Sequence, residues 1–123
     1  MASEISSNRF SGEAAADLSA KQYRFVKFDA AGLIALCGDG ELGIGILQNN
    51  PTAGQTAEVW GPGLISKIEQ SATLTIGAGI CSDANGKAQA FAASKNTLGI
   101  LRENGGADAR FGSCLIALMG KES

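Results

Sequence analysis

The stretch Phe28-Asp29-Ala30-Ala31-Gly32 decides the fold, because Ser82-Asp83-Ala84-Asn85-Gly86 repeats its pattern 54 residues later. The stretch Gly45-Ile46-Leu47 recurs at the same spacing as Gly99-Ile100-Leu101. Each copy reads as a strand, a D-A-x-G turn, a returning strand, a G-I-L strand, a loop and a final strand. The sequence therefore predicts a domain that is built twice from one β unit.

The fold class follows from short apolar segments that are separated by turn residues. After the G-I-L strands the spacing of the repeat falls to 52, which aligns residues 57–59 with 109–111. Eight to ten short strands with turns every ten or so residues are typical of barrels and sandwiches. We predict a small all-β barrel or sandwich with one domain over residues 21–123, whose related halves cover about 22–63 and 76–119.

Residues 1–20 are predicted to form an extended N-terminal arm. They are mostly small and polar, and residues 14–19 could form at most a helical turn. No apolar face in this stretch is long enough to fold alone. We expect the arm to become ordered on a neighbouring subunit.

The composition predicts a protein without catalytic chemistry. The chain has no histidine, so a Ser-His or Cys-His nucleophile pair is impossible. Asp29 and Asp83 are explained as turn residues that accept hydrogen bonds from their own backbone. We predict no catalytic residue, no cofactor site and no metal site, and hence a protein that is not an enzyme.

Charge and hydropathy also narrow the partners. The net charge is −2, with ten Lys and Arg scattered among twelve Asp and Glu, whereas phosphate binding requires a basic stripe. No apolar run approaches the ~18 residues of a membrane span. The N-terminus lacks the basic and apolar regions of a signal peptide. We therefore expect synthesis in the cytosol and neither a nucleic-acid nor a membrane partner.

Two motifs have a more ordinary structural interpretation. The residues Gly38-Asp39-Gly40-Glu41-Leu42-Gly43 match G-x-G-x-x-G, but a strand pattern follows and the two acids would repel phosphate. We predict a turn there. A biotinyl or lipoyl carrier is also a duplicated β fold, but neither Lys27 nor Lys87 lies in a typical swinging-arm tip.

The cysteines fit no metal or redox motif. Cys37, Cys81 and Cys114 are 44 and 33 residues apart, and none falls on an equivalent position of the other copy. One hypothesis is three buried thiols that act as small hydrophobic groups. The other is an intersubunit disulfide formed by Cys37, Cys81 or Cys114 in an extracellular particle.

The chain resembles the capsid cement, or head decoration, proteins of tailed bacteriophages. The likeness begins at residues 16–27 and continues through Gly45-Ile46-Leu47-Gln48-Asn49-Asn50-Pro51-Thr52-Ala53-Gly54-Gln55, which is its most specific part. It resumes at residues 76–79 and 99–101. The stretch Trp60-Gly61-Pro62-Gly63 and the three cysteines depart from the family pattern.

The resemblance implies a virion structural protein on the outer capsid surface, made in the host cytoplasm. Its partners would be the major capsid protein and further copies of itself, as a homotrimer that reinforces the capsid lattice. Residues 1–20 would reach the capsid or an adjacent subunit. The predicted interface residues are Ile5, Phe10 and Trp60.

A carbohydrate-binding or adhesion module displayed on a particle is the alternative function. Trp60, Tyr23 and the Asn49-Asn50 loop would then contact sugars. A lone tryptophan is more often part of a core or an interface than a sugar platform.

Overall fold

The computed structural model describes residues 8–105 and 110–121, which form ten strands in two sheets. The predicted all-β class is confirmed, as a small sandwich rather than a closed barrel. The strands are β1 (Arg9–Glu13), β2 (Phe25–Phe28), β3 (Ile34–Leu36), β4 (Gly45–Leu47), β5 (Thr56–Trp60), β6 (Ile65–Glu69), β7 (Gly79–Ser82), β8 (Ala88–Ala90), β9 (Asn96–Glu103) and β10 (Phe111–Lys121).

The two sheets have the same strand order, β1-β5-β4-β2-β3 and β6-β10-β9-β7-β8, with every ladder antiparallel. A single parallel bridge joins the end of the first strand to the third in each sheet, between Ala14 and Ile34 and between Gln70 and Ala88. Each sheet is thus one five-stranded copy of the repeated unit.

The register confirms the spacing of 54 through the second, third and fourth strands of each copy. Phe25 lies opposite Ile46, and Gly79 lies opposite Ile100. The turns also match, because the amides of Gly32 and Gly86 donate to the carbonyls of the aspartates three residues earlier.

The predicted spacing of 52 in the last strand is wrong. Val59 lies opposite Leu47, and Cys114 lies opposite Leu101, so these strands are related by 55 residues. A register shift between Ser113 and Cys114 marks an irregularity in β10. An extra residue in one strand of a pair is the usual cause of such a shift, and sequence matching does not detect it.

The predicted arm over residues 1–20 is also corrected. Arg9–Glu13 is the edge strand β1 and pairs with β5 from Arg9 opposite Trp60 to Glu13 opposite Thr56. Ala14 and Leu18 are buried, and the Leu18 amide donates to the Pro51 carbonyl over 2.8 Å. The ordered fold therefore includes residues 9–18, and residues 1–7 lie outside the described part of the chain.

Two clusters of buried side chains hold the fold together. The first joins both sheets and comprises Phe25, Cys37, Ile46, Ile68, Leu74, Ile80, Ala88, Leu98, Leu101, Cys114 and Ile116. The second belongs to the first half and comprises Ala14, Leu18, Val26, Ile34, Leu47, Ala57 and Val59. Successive residues of a strand point to opposite faces, so β2 is apolar on both faces because both are covered.

Candidate interaction surface

The pairing of β1 with β5 brings two of the three predicted interface residues together. Phe10 lies opposite Val59, one position from the pair formed by Arg9 and Trp60. The surface there has a recess of about 380 Å³, here called the β1 recess. Its lining residues are Arg9, Phe10, Ser11, Gln48, Glu58, Val59 and Trp60.

The β1 recess combines aromatic and charged groups. The Arg9 guanidinium lies 4.9 Å from the centre of the Trp60 ring, within the range of a cation–π interaction. The Phe10 ring lies 6.1 Å from that of Phe28, and the Glu58 side chain is exposed nearby. Trp and Arg are the residue types that most often dominate the energy of protein interfaces.

The segment from Trp60 to Gly63 forms the corner that holds this surface. The Asn8 side-chain amide donates to the Pro62 carbonyl over 2.6 Å, and the Gly61 amide donates to the Asn8 carbonyl over 2.7 Å. The Gly63 amide donates to the Ile116 carbonyl of the other sheet. The corner therefore fixes β1 and Trp60 relative to both sheets.

The sequence prediction missed Arg9 and Glu58 and named Ile5, which lies outside the described residues. The available signal was the alternation along β1, where Arg9, Ser11 and Glu13 are exposed while the intervening side chains are partly buried. Alternation of this kind indicates a strand with one face on the core. Gly12 concealed it, because a small residue is required where the backbone approaches Ile34.

The most specific part of the family resemblance is a hydrogen-bonded loop. Asn49 brackets the next strand, since its side chain donates to the Thr56 carbonyl and accepts from the Glu58 amide. Asn50 accepts from the Gln22 amide, and its side-chain amide donates to the Gln22 side chain. These residues hold the chain in shape, which explains the motif without a ligand.

These contacts also bear on the carbohydrate alternative. Both asparagine side chains are already engaged within the fold. Tyr23 lines a different recess from Trp60, packs edge-on against Phe111, and lies beneath the Lys67 ammonium. The proposed sugar contacts therefore do not form one site.

The G-x-G-x-x-G segment is a turn, as predicted, and it joins the two halves. The Gly40 amide donates to the Ser82 carbonyl over 2.9 Å. Asp39 accepts from Gln89 and forms an ion pair with Lys95 at 2.7 Å. These bonds occupy the loop with structural contacts to the second half.

The two lysines considered for a carrier domain are both paired. The Lys27 ammonium lies 2.8 Å from Glu41, and that of Lys87 lies 3.4 Å from Glu69. Lys27 belongs to β2, whereas Lys87 follows the turn at residues 83–86.

The three thiols are all buried and none forms a disulfide within the chain. Burial raises the pKa of the Cys37 and Cys114 thiols to about 12 and also raises that of Cys81. An intersubunit disulfide requires a thiol that another chain can reach. The structure therefore favours the hypothesis of small hydrophobic groups over the disulfide.

We expect no thiol of the native protein to react with Ellman's reagent at pH 8 and all three to react in guanidinium chloride. An ordinary thiol is ~10% thiolate at that pH, whereas one with a pKa of about 12 is ~0.01% thiolate. Reactivity should rise only as the pH approaches the raised values. A fast-reacting native thiol, or a dimer band on a non-reducing gel, would refute the buried assignment.

A second apolar surface lies on β6 and β10. Leu115 lies opposite Ile65, and both side chains are well exposed, as is that of Met119. The final strand was predicted to be apolar on both faces, and here one face packs on the core through Cys114 and Ile116.

Among residues 8–105 and 110–121, no group of three or more Cys, Asp or Glu side chains is arranged to hold a metal ion. The described residues contain no helix long and apolar enough to cross a membrane.

The fold is similar to that of the N base of head fiber gp8.5 from bacteriophage phi29. The superposition has a TM-score of 0.69 at 13% sequence identity and covers 94% of this chain and 98% of that one. No protein-family model and no curated protein sequence matches the chain. At this identity the comparison shows a shared fold across nearly the whole of both chains.

Proposed function

We propose that this chain is a structural virion protein that binds the outer surface of a phage head and stabilises the capsid lattice. Its partners are the major capsid protein and further copies of itself, as a homotrimer. The observation that carries the proposal is the fold match to a head fiber base over 94% of this chain. The family resemblance, which rests on separate residues of the sequence, supports the same role.

The β1 recess is the surface that we assign to the capsid contact. It presents the Arg9 guanidinium, the Phe10 and Trp60 rings and the Glu58 carboxylate on an edge strand. Edge strands and Trp–Arg pairs are suited to contacts with other chains. Many modest contacts of this kind, repeated over a symmetric lattice, give firm attachment through multivalency.

Reversing the charge at the β1 recess should weaken head binding. We expect Arg9→Glu to lower the affinity for undecorated heads by about 30-fold, because the guanidinium stacked on Trp60 is lost and a second carboxylate joins Glu58. Co-sedimentation with purified heads measures this affinity. Arg102→Glu, an exposed change on the other sheet, is the matched control.

Wild-type affinity of the Arg9→Glu variant would move the capsid contact elsewhere on the chain. No binding by the wild-type protein would overturn the proposed function itself. The stabilising role has its own readout, since decorated heads should release DNA at a higher temperature than undecorated ones.

The part played by the N-terminus is best tested with residues 1–7 alone. Removing residues 1–20 would delete β1 and the buried Leu18, so it would disrupt the fold as well as any contact. We expect the shorter deletion to reduce head binding while leaving the melting temperature unchanged.

A further inference from the structure

The two D-A-x-G turns have the same backbone and opposite surroundings. In both, the aspartate accepts from the amides two and four residues later, and the glycine has a φ near +80°. A Cβ atom added to Gly86 would lie 2.6 Å from Leu36, whereas one added to Gly32 would meet nothing within 4 Å. The second turn is packed against the first half, and the first turn is open.

The packed turn defines how one half receives the other. The Phe25 amide donates to the Gly86 carbonyl over 2.8 Å, and Leu36 lies against the same glycine. Asn85 of the turn accepts from the Arg24 guanidinium through its carbonyl. The receiving surface of the first half is therefore built around Phe25 and Leu36.

The equivalent surface of the second half has no turn packed on it within the chain. At a spacing of 54, Phe25 corresponds to Gly79 and Leu36 to Ala90, and both of these line an apolar recess of about 230 Å³. The other lining residues are Leu74, Thr75, Ala78, Ile80 and Phe91. We call this surface the β8 recess.

The open turn and the β8 recess differ from their counterparts in complementary ways. Phe28, beside the open turn, is 52% exposed, whereas its equivalent Ser82 is fully buried between the halves. The turn thus carries a larger side chain, and the recess carries the smaller residues Gly79 and Ala90. Phe91 and Ile76 add further exposed apolar surface around the recess.

We infer that copies of this chain associate head to tail, with the turn at residues 28–32 of one copy docked in the β8 recess of the next. The contact repeats between chains the one that joins the two halves within a chain. A head-to-tail contact produces a ring if its rotation closes and a filament if it does not. Closure after three copies would give the proposed homotrimer, but the contact itself does not depend on head binding.

Two variants at the two sides of this contact test the inference. Phe28→Ser copies the residue of the packed turn, and Ala90→Glu places a charge in the β8 recess. Each should weaken self-association by about 30-fold in analytical ultracentrifugation, as loss of a central apolar anchor does. Leu42→Ser and Ala53→Glu, at exposed positions outside both surfaces, are the matched controls.

Mixing the two variants tests the direction of the contact. Each retains one intact side, so the mixture should form a heterodimer that grows no further. Circular dichroism confirms that the variants fold, and Ala90→Leu, which restores the residue of the first half, replaces Ala90→Glu if that variant does not. A monomeric wild-type protein, or variants that associate as tightly as wild type, would overturn the inference.

Discussion

Replacing Glu69 by alanine should lower the free energy of unfolding by about 3 to 5 kcal/mol, because it leaves a buried guanidinium without its partner. The Glu69 side chain is only 6% exposed, and its carboxylate lies 3.2 Å from Arg24, which is 11% exposed. Lys87 and Arg110 approach the same carboxylate at 3.4 and 3.8 Å. Arg24 belongs to the first half and Glu69 to the second, so this cluster links the two copies.

Urea denaturation measures the change, with an exposed ion pair as the control. Glu103→Ala breaks a pair with Arg102 in which both side chains are more than half exposed, and it should cost less than about 1 kcal/mol. Equal losses for the two variants would mean that the Glu69 cluster contributes no more than a surface pair. In that case the halves would be joined mainly by the shared apolar core.

Replacing Gly45 by alanine should cost more than about 3 kcal/mol, a large part of the ~5–15 kcal/mol that stabilises a typical domain. A Cβ atom there would run into the Trp60 carbonyl and lie 3.0 Å from Val59. Gly99, its equivalent in the second copy, faces the Leu115 carbonyl at 2.8 Å, so Gly99→Ala should also be strongly destabilising. Both copies of the G-I-L strand therefore need glycine for the same steric reason.

The control is Gly54→Ala, which introduces a Cβ atom into open space. Gly54 has a φ of +82°, so alanine would cost only the ~1–2 kcal/mol of the left-handed conformation. Thermal unfolding of the three variants ranks them directly. A Gly45→Ala protein as stable as Gly54→Ala would show that β4 and β5 can separate without loss.

The repeated turns and G-I-L strands predicted the second, third and fourth strands of each copy in the correct register. These elements are local, since a turn aspartate and a glycine under a carbonyl both leave a visible mark on the sequence. The shared strand order of the two sheets is the structural form of that repetition.

The elements that the sequence did not reveal depend on distant partners. β1 contains no strong apolar run, and it is a strand because β5 lies beside it and Ile34 packs beneath Gly12. The irregularity at Ser113 shifts the last strand without altering its apolar pattern. For the site, Trp60 and Phe10 were predictable as interface residue types, but their meeting with Arg9 and Glu58 follows from the β1–β5 register.

Cryo-electron microscopy of heads formed by the major capsid protein encoded with this chain, imaged with and without it, tests the proposed role most directly. We expect density on the outer surface only in the decorated heads, in groups of three that each fit the ten-stranded sandwich, with the β1 recess towards the capsid. Identical maps with and without the chain, or density on the inner surface, would contradict the proposal.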